Sequence, residues 1–89
     1  MIDLPDHDLL LDCRGMICPR PIIELGRHID DVAPGQVIAV LADDPAAAVD
    51  VPAWCRMRAH EYVGVGVDEG TPAYFVRRAG AESGERFTT

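Results

Sequence analysis

Asp8-Leu9-Leu10-Leu11-Asp12-Cys13-Arg14-Gly15-Met16-Ile17-Cys18-Pro19-Arg20-Pro21 is the stretch on which the fold depends. Its first half is a short apolar run flanked by acids, the pattern of a strand. Arg14-Gly15-Met16-Ile17 then turns the chain, with Gly15 supplying backbone freedom. Cys18-Pro19-Arg20-Pro21 opens a helix, because amides in a first helical turn lack an intrahelical partner and proline can stand there. Ile22, Leu25 or Gly26, Ile29 and Val32 recur at three- and four-residue steps as one apolar stripe. Arg20, Glu24, Arg27 and Asp31 supply the polar side, and Ala33-Pro34-Gly35 stops the helix.

Working outward, Gln36 to Ala42 is almost entirely apolar and partly β-branched, which predicts a strand buried on both faces. Asp43-Asp44-Pro45 reads as a turn and helix start, an acid at the cap followed by proline. A second helix is expected over 46–59, interrupted or bent at Pro52, with Val49, Ala53 or Trp54, and Met57 facing inward. Glu61 to Val67 alternates with period two, a half-buried strand. Asp68-Glu69-Gly70-Thr71-Pro72 reads as a turn, and Ala73 to Arg78 pairs back to close a hairpin. The order β-α-β-α-β-β predicts an α/β two-layer sandwich, a four-stranded mixed sheet with two helices on one face. Residues 1–80 are expected to form a single domain and 81–89 a flexible tail, with fraying expected from residue 79 onward.

Eighty-nine residues leave no room for a lid or a separate cofactor domain. Eight Arg against fifteen acids, with no Lys, give a formal charge of −7, which argues against direct nucleic-acid binding. No apolar run is long enough to span a bilayer. The acidic N-terminus lacks the layout of a signal peptide, so a cytoplasmic protein without direct membrane contact is expected. No bound cofactor or metal is expected either.

Three cysteines, Cys13, Cys18 and Cys55, cannot all pair internally. In a reducing compartment they read as catalytic, metal-binding or core thiols. Cys18 sits at or next to the N-cap of the first helix, where the helix N-terminus favours thiolate. The Arg20 amide is expected to be free to donate there, and the Arg14 and Arg20 guanidinium groups add positive charge. Pro19 and Pro21 remove two of the first amides, so a modest rather than extreme activation is expected. The plain alternative is a small buried hydrophobe. Cys13, five residues earlier, could approach Cys18 as a partner thiol. Cys55, beside Trp54, reads as a core thiol. A zinc site built from Cys13, Cys18, Cys55 and His60 is disfavoured by spacing. Asp43, Asp44 and Asp50 read as caps and turns, and Arg14, Arg20, Arg56 and Arg58 as a possible basic rim around the cysteine.

Leu11-Asp12-Cys13-Arg14-Gly15-Met16-Ile17-Cys18-Pro19-Arg20-Pro21 resembles the TusA (SirA-like) family of small sulfur carriers. The resemblance continues through Pro34-Gly35, Ala42 to Ala46, Asp50 to Cys55, His60-Glu61-Tyr62 and Tyr74 to Arg78, covering about residues 9–80. It implies a sandwich like the C-terminal domain of translation initiation factor three. It also implies that Cys18, within a Cys-Pro-x-Pro motif, is the persulfide nucleophile, with Arg14, Pro19, Arg20 and Pro21 in support. Implied partners are a cysteine desulfurase or rhodanese-type donor and a downstream acceptor protein, for tRNA 2-thiouridine formation or another sulfur-trafficking route. Cys13 stands where the family usually has another residue, which leaves a resolving thiol open. Two other readings stay beside this sulfurtransferase: a non-catalytic regulatory adaptor, and a thiol redox protein using Cys13 and Cys18.

Overall fold

The structure, a computed structural model, describes residues 7–17 and 19–80. Strand β1 (Leu9–Asp12) leads into helix α1 (Arg20–His28), which tightens into a 3₁₀ turn over Ile29–Asp31. Strand β2 (Val37–Leu41), helix α2 (Ala47–Arg58), β3 (Glu61–Asp68) and β4 (Thr71–Arg77) follow. The four-stranded sheet runs β1-β2-β4-β3, with β1 parallel to β2 and the other neighbours antiparallel. The expected mixed sheet with two helices is therefore present. The expected tail over 81–89 lies outside the described residues.

Both helices pack on one face of the sheet. Leu25, Ile29 and Val32 from the first, and Ala47, Val51, Trp54 and Cys55 from the second, form one cluster with Ile38, Val40, Tyr74 and Val76. Gly26 faces α2, where a Cβ would lie 3.9 Å from the Trp54 Nε1. Both candidates for that step of the stripe thus face inward, one to the core and one to the neighbouring helix. Val37, Ala39, Leu41, Ala73 and Phe75 form a second buried cluster. By strand alternation they lie on the other face of the sheet, where the His7 ring stands 6.0 Å from that of Phe75. Every residue of β2 is buried, as its unbroken apolar run predicts.

Three expectations are corrected. In α2, Trp54 is buried as expected, but Val49 and Met57 are 71% and 74% exposed, and Ala47, Val51 and Cys55 are buried in their place. Apolar residues surround this helix on all sides, so spacing alone does not set its phase; contact with the sheet does. The hairpin turn is shorter than five residues: Glu69 and Gly70, at φ 52° and 83°, make a two-residue turn between β3 and β4. Positive φ at both central positions matches the right-handed twist of the flanking strands, which can then pair to their ends. At the far end, the Ala79 amide donates to His60 Nδ1 at 2.9 Å, so the chain is anchored past the point where fraying was expected.

Candidate functional site

The β1–α1 turn leaves the sheet beside the loop that follows β2, because Asp12 pairs with Leu41 in the parallel register. The Cys13 amide continues that ladder, donating to the Leu41 carbonyl at 2.8 Å. Arg14 folds back on Asp12 through Nε and Nη2, at 2.8 and 2.7 Å, and its amide donates to the same carboxylate. That pairing holds the Asp12 carboxyl down at about 2, the side-chain bond to Arg14 being the largest cause. The Gly15 amide, at φ 80°, donates to both Asp43 oxygens at 3.1 and 3.2 Å. Ile17 then stands 74% exposed.

Cys18 lies outside the described residues, so the site is defined by its neighbours. Pro19 is the N-cap of α1 and Pro21 stands within the first turn, without a side-chain cap or an acid there. In sequence, Cys18 directly precedes that cap residue. The Arg20 amide is not free as expected: it donates to the Ile17 carbonyl at 2.9 Å. Helix N-terminal activation is correspondingly limited, and the exposed Arg20 guanidinium is the charge nearest in sequence.

The other two thiols sit in different surroundings. Cys13 is buried, and burial, then the Glu24 and Asp12 charges, push its thiol up, with Arg20 opposing. Cys55 is 1% exposed and its thiol is pushed up to about 11 by burial. Neither presents a ready nucleophile.

The expected basic rim is divided. Arg14 and Arg20 flank the β1–α1 turn, but Arg56 and Arg58 lie in the last turn of α2. That turn leads into Glu61, which pairs with Arg77, itself opposite Val37 at the start of β2. The β1–α1 turn lies at the other end of β2, so the two pairs of arginines occupy opposite ends of the sheet. Arg56 there lines an open cleft of about 770 Å³ with His60, Arg77 and Arg78, while Arg58 stacks over Trp54 at 5.4 Å. His60 stacks on Trp54 with ring centroids 5.3 Å apart and accepts from the Ala79 amide; burial, then the Arg58 and Arg78 charges, pull its pKa down.

A second groove, of about 380 Å³, begins at Pro19 and runs between the helices, lined by Ile22, Asp50, Ala53, Trp54 and Met57. Its lining is largely apolar, and it includes the exposed Met57. Asp44 accepts the Ala46 amide at 3.0 Å in the turn before α2; the N-cap itself is Ala46, without a side-chain cap bond, so the expected acid at the cap is displaced into the preceding turn. Asp43 was expected to serve the same turn but reaches across to Gly15. The sequence sign of that contact was a second acid beside the one that serves the turn into α2. Among the described residues, no three His, Cys, Asp or Glu side chains gather as a metal site, and no helix is long and apolar enough to cross a membrane.

The family model for sulfurtransferase TusA matches residues 10–78. The chain belongs to the TusA family. Sulfur carrier protein TusA of Pseudomonas entomophila (strain L48) is 38% identical over 72 residues, 81% of this chain and 90% of that protein. Its counterpart in Pseudomonas aeruginosa (strain LESB58) is 37% identical over 71 residues, 80% and 90% of the respective chains. A putative sulfur carrier protein, YrkF, of Bacillus subtilis is 31% identical over 86% of this chain, which spans 42% of that longer protein. Among solved structures, a SirA-like protein from Desulfitobacterium hafniense superposes with a TM-score of 0.70 at 18% identity, covering 81% of this chain and 99% of that one. That likeness establishes the shared fold.

Proposed function

We propose that this TusA-family chain relays sulfane sulfur as a persulfide on Cys18. The observation that carries the reading is the contrast among the cysteines: Cys13 and Cys55 are buried with raised pKa values, whereas Cys18 directly precedes the N-cap of α1. In the transfer, the Cys18 thiolate attacks the outer sulfur of a donor persulfide. A sulfur–sulfur bond forms on Cys18 as the donor's own sulfur–sulfur bond breaks, and the donor leaves as a thiolate. An acceptor thiolate then attacks the outer sulfur and releases Cys18. Each exchange conserves electrons, so no external oxidant or reductant is required.

The donor in this reading is a cysteine desulfurase or rhodanese-type protein, and the recipient is a downstream acceptor protein, for tRNA 2-thiouridine formation or another sulfur route. Family membership supports donor and acceptor partners in general. The apolar groove beginning at Pro19 gives a partner a surface to seat on while its persulfide reaches position 18. Burial of Cys13 disfavours the redox alternative, since a resolving thiol must be reachable as thiolate. A charge of −7 disfavours a nucleic-acid adaptor.

Incubation of wild type and Cys18→Ser with a cysteine desulfurase and cysteine, followed by intact-protein mass spectrometry, tests the reading. Wild type should gain one sulfur and the variant none. Normal persulfide formation on the variant would refute it.

A further inference from the structure

Among the described residues, the β1–α1 turn is held by hydrogen bonds within it, by Met16 against the core, and by two groups from the end of β2 and the loop beyond. Cys13 is fixed by Leu41 at its start, and Arg14 is fixed by Asp12 within the turn itself. Beyond these, Met16 donates to Cys13 and Arg20 to Ile17, both local bonds. A Cβ built on Gly15 would meet nothing within 4 Å, so packing does not confine the turn on that side. Beyond the Leu41 carbonyl at the start of the turn, the long-range polar tether among the described residues is the Asp43 carboxylate, 28 residues away in sequence, accepting the Gly15 amide with both oxygens. The turn into α2 is served by Asp44, which accepts the Ala46 amide, whereas the Asp43 carboxylate reaches across to the β1–α1 turn.

We infer that Asp43 is a positioning residue for Cys18, acting through the Gly15 amide rather than on the sulfur. The inference rests on the sulfur-carrier reading and deepens it. Cys18 follows Gly15 by three residues, and the two loops leave the same end of the parallel β1–β2 pair. A charge-assisted hydrogen bond to a backbone amide is among the stronger single tethers available at a surface. Holding the turn limits the range of positions open to the sulfur, and a defined approach is what a thiol exchange needs. The negative charge of Asp43 by itself would oppose thiolate formation. Positioning and direct electrostatics therefore act in opposite directions, which makes them separable.

The test compares Asp43→Ala, Asp43→Asn, Gly15→Ala and the Asp43→Ala/Gly15→Ala double variant. Three readouts apply: exchange of the Gly15 amide by NMR, the pH profile of Cys18 alkylation by peptide mass spectrometry, and sulfur gain from a desulfurase. Asp43→Ala should speed Gly15 exchange by about tenfold or more and slow both Cys18 reactions. Asp43→Asn keeps an acceptor oxygen and should restore the rates to within about threefold of wild type. Gly15→Ala strains the turn at φ 80°. If Asp43 acts through Gly15, the double variant should be no slower than the slower single variant. Multiplying effects, equal loss in the Asn and Ala variants, or unchanged Cys18 chemistry in Asp43→Ala would overturn the inference. Should Asp43→Ala not fold, the wild-type scalar coupling between the Gly15 amide and the Asp43 carboxylate decides, its absence overturning the contact. Alkylation and amide exchange involve no sulfur transfer. Failure of the carrier reading would appear separately, as normal persulfide formation on Cys18→Ser.

Discussion

Iodoacetamide applied to the folded protein at pH 7 should separate Cys18 from Cys55 by a factor of about 300 through ionisation alone. Cys55 is 1% exposed and burial pushes its thiol up to about 11. At pH 7 roughly one such thiol in ten thousand is ionised, whereas an ordinary thiol near 8.5 is ionised to about 3%. Restricted access of the reagent can only widen the gap. Peptide-resolved mass spectrometry over a time course reads the individual rates, and denaturant should bring them within a few-fold of one another. Labelling of Cys55 within about tenfold of Cys18 in the native protein would refute the reasoning. The same burial has a consequence for stability. Because the folded-state pKa is raised, its contribution is intact below about pH 9 and is lost as pH rises toward 11, roughly 3 kcal/mol in all. At neutral pH Cys55→Ala should lower stability by about 1–3 kcal/mol through the cavity it leaves. Urea titrations should show that deficit shrinking as pH rises, since the variant has no thiolate to bury. A deficit independent of pH would contradict the burial argument.

The phase of α2 is tested by Val51→Ala, which removes a fully buried side chain and should cost about 2 kcal/mol in urea unfolding, while Val49→Ala at the exposed position should change stability by less than about 0.5 kcal/mol. The reverse order would put the wrong face of the helix inward. Arg20→Glu should raise the alkylation midpoint of Cys18, because an acid replaces the cation two residues from the sulfur, and the shift should shrink in high salt. An unchanged midpoint would leave selectivity to partner docking alone.

Much of this protein was legible in its sequence because the decisive signals are local. Gly15 allows the positive-φ turn, Pro19 and Pro21 tolerate the start of a helix, and the unbroken run from Val37 to Leu41 suits a strand covered on both faces. Hydrogen-bonding capacity and fixed φ belong to each residue, so they can be read before any contact is known. The Cys-Pro-x-Pro motif and its spaced companions likewise pointed to the family from residue identity alone. What needed the tertiary structure was every property set by residues distant in sequence. The sheet selected which side of α2 to bury, because apolar residues on all sides of Val51 and Trp54 gave periodicity nothing to choose between. Strand order carried Arg56 and Arg58 to the end opposite the β1–α1 turn, although charge alone allowed them beside it. The parallel pairing of β1 with β2 brought Asp43 to the Gly15 amide. A carboxylate can bind whichever amide the fold brings within reach, and a linear sequence does not specify which one that will be.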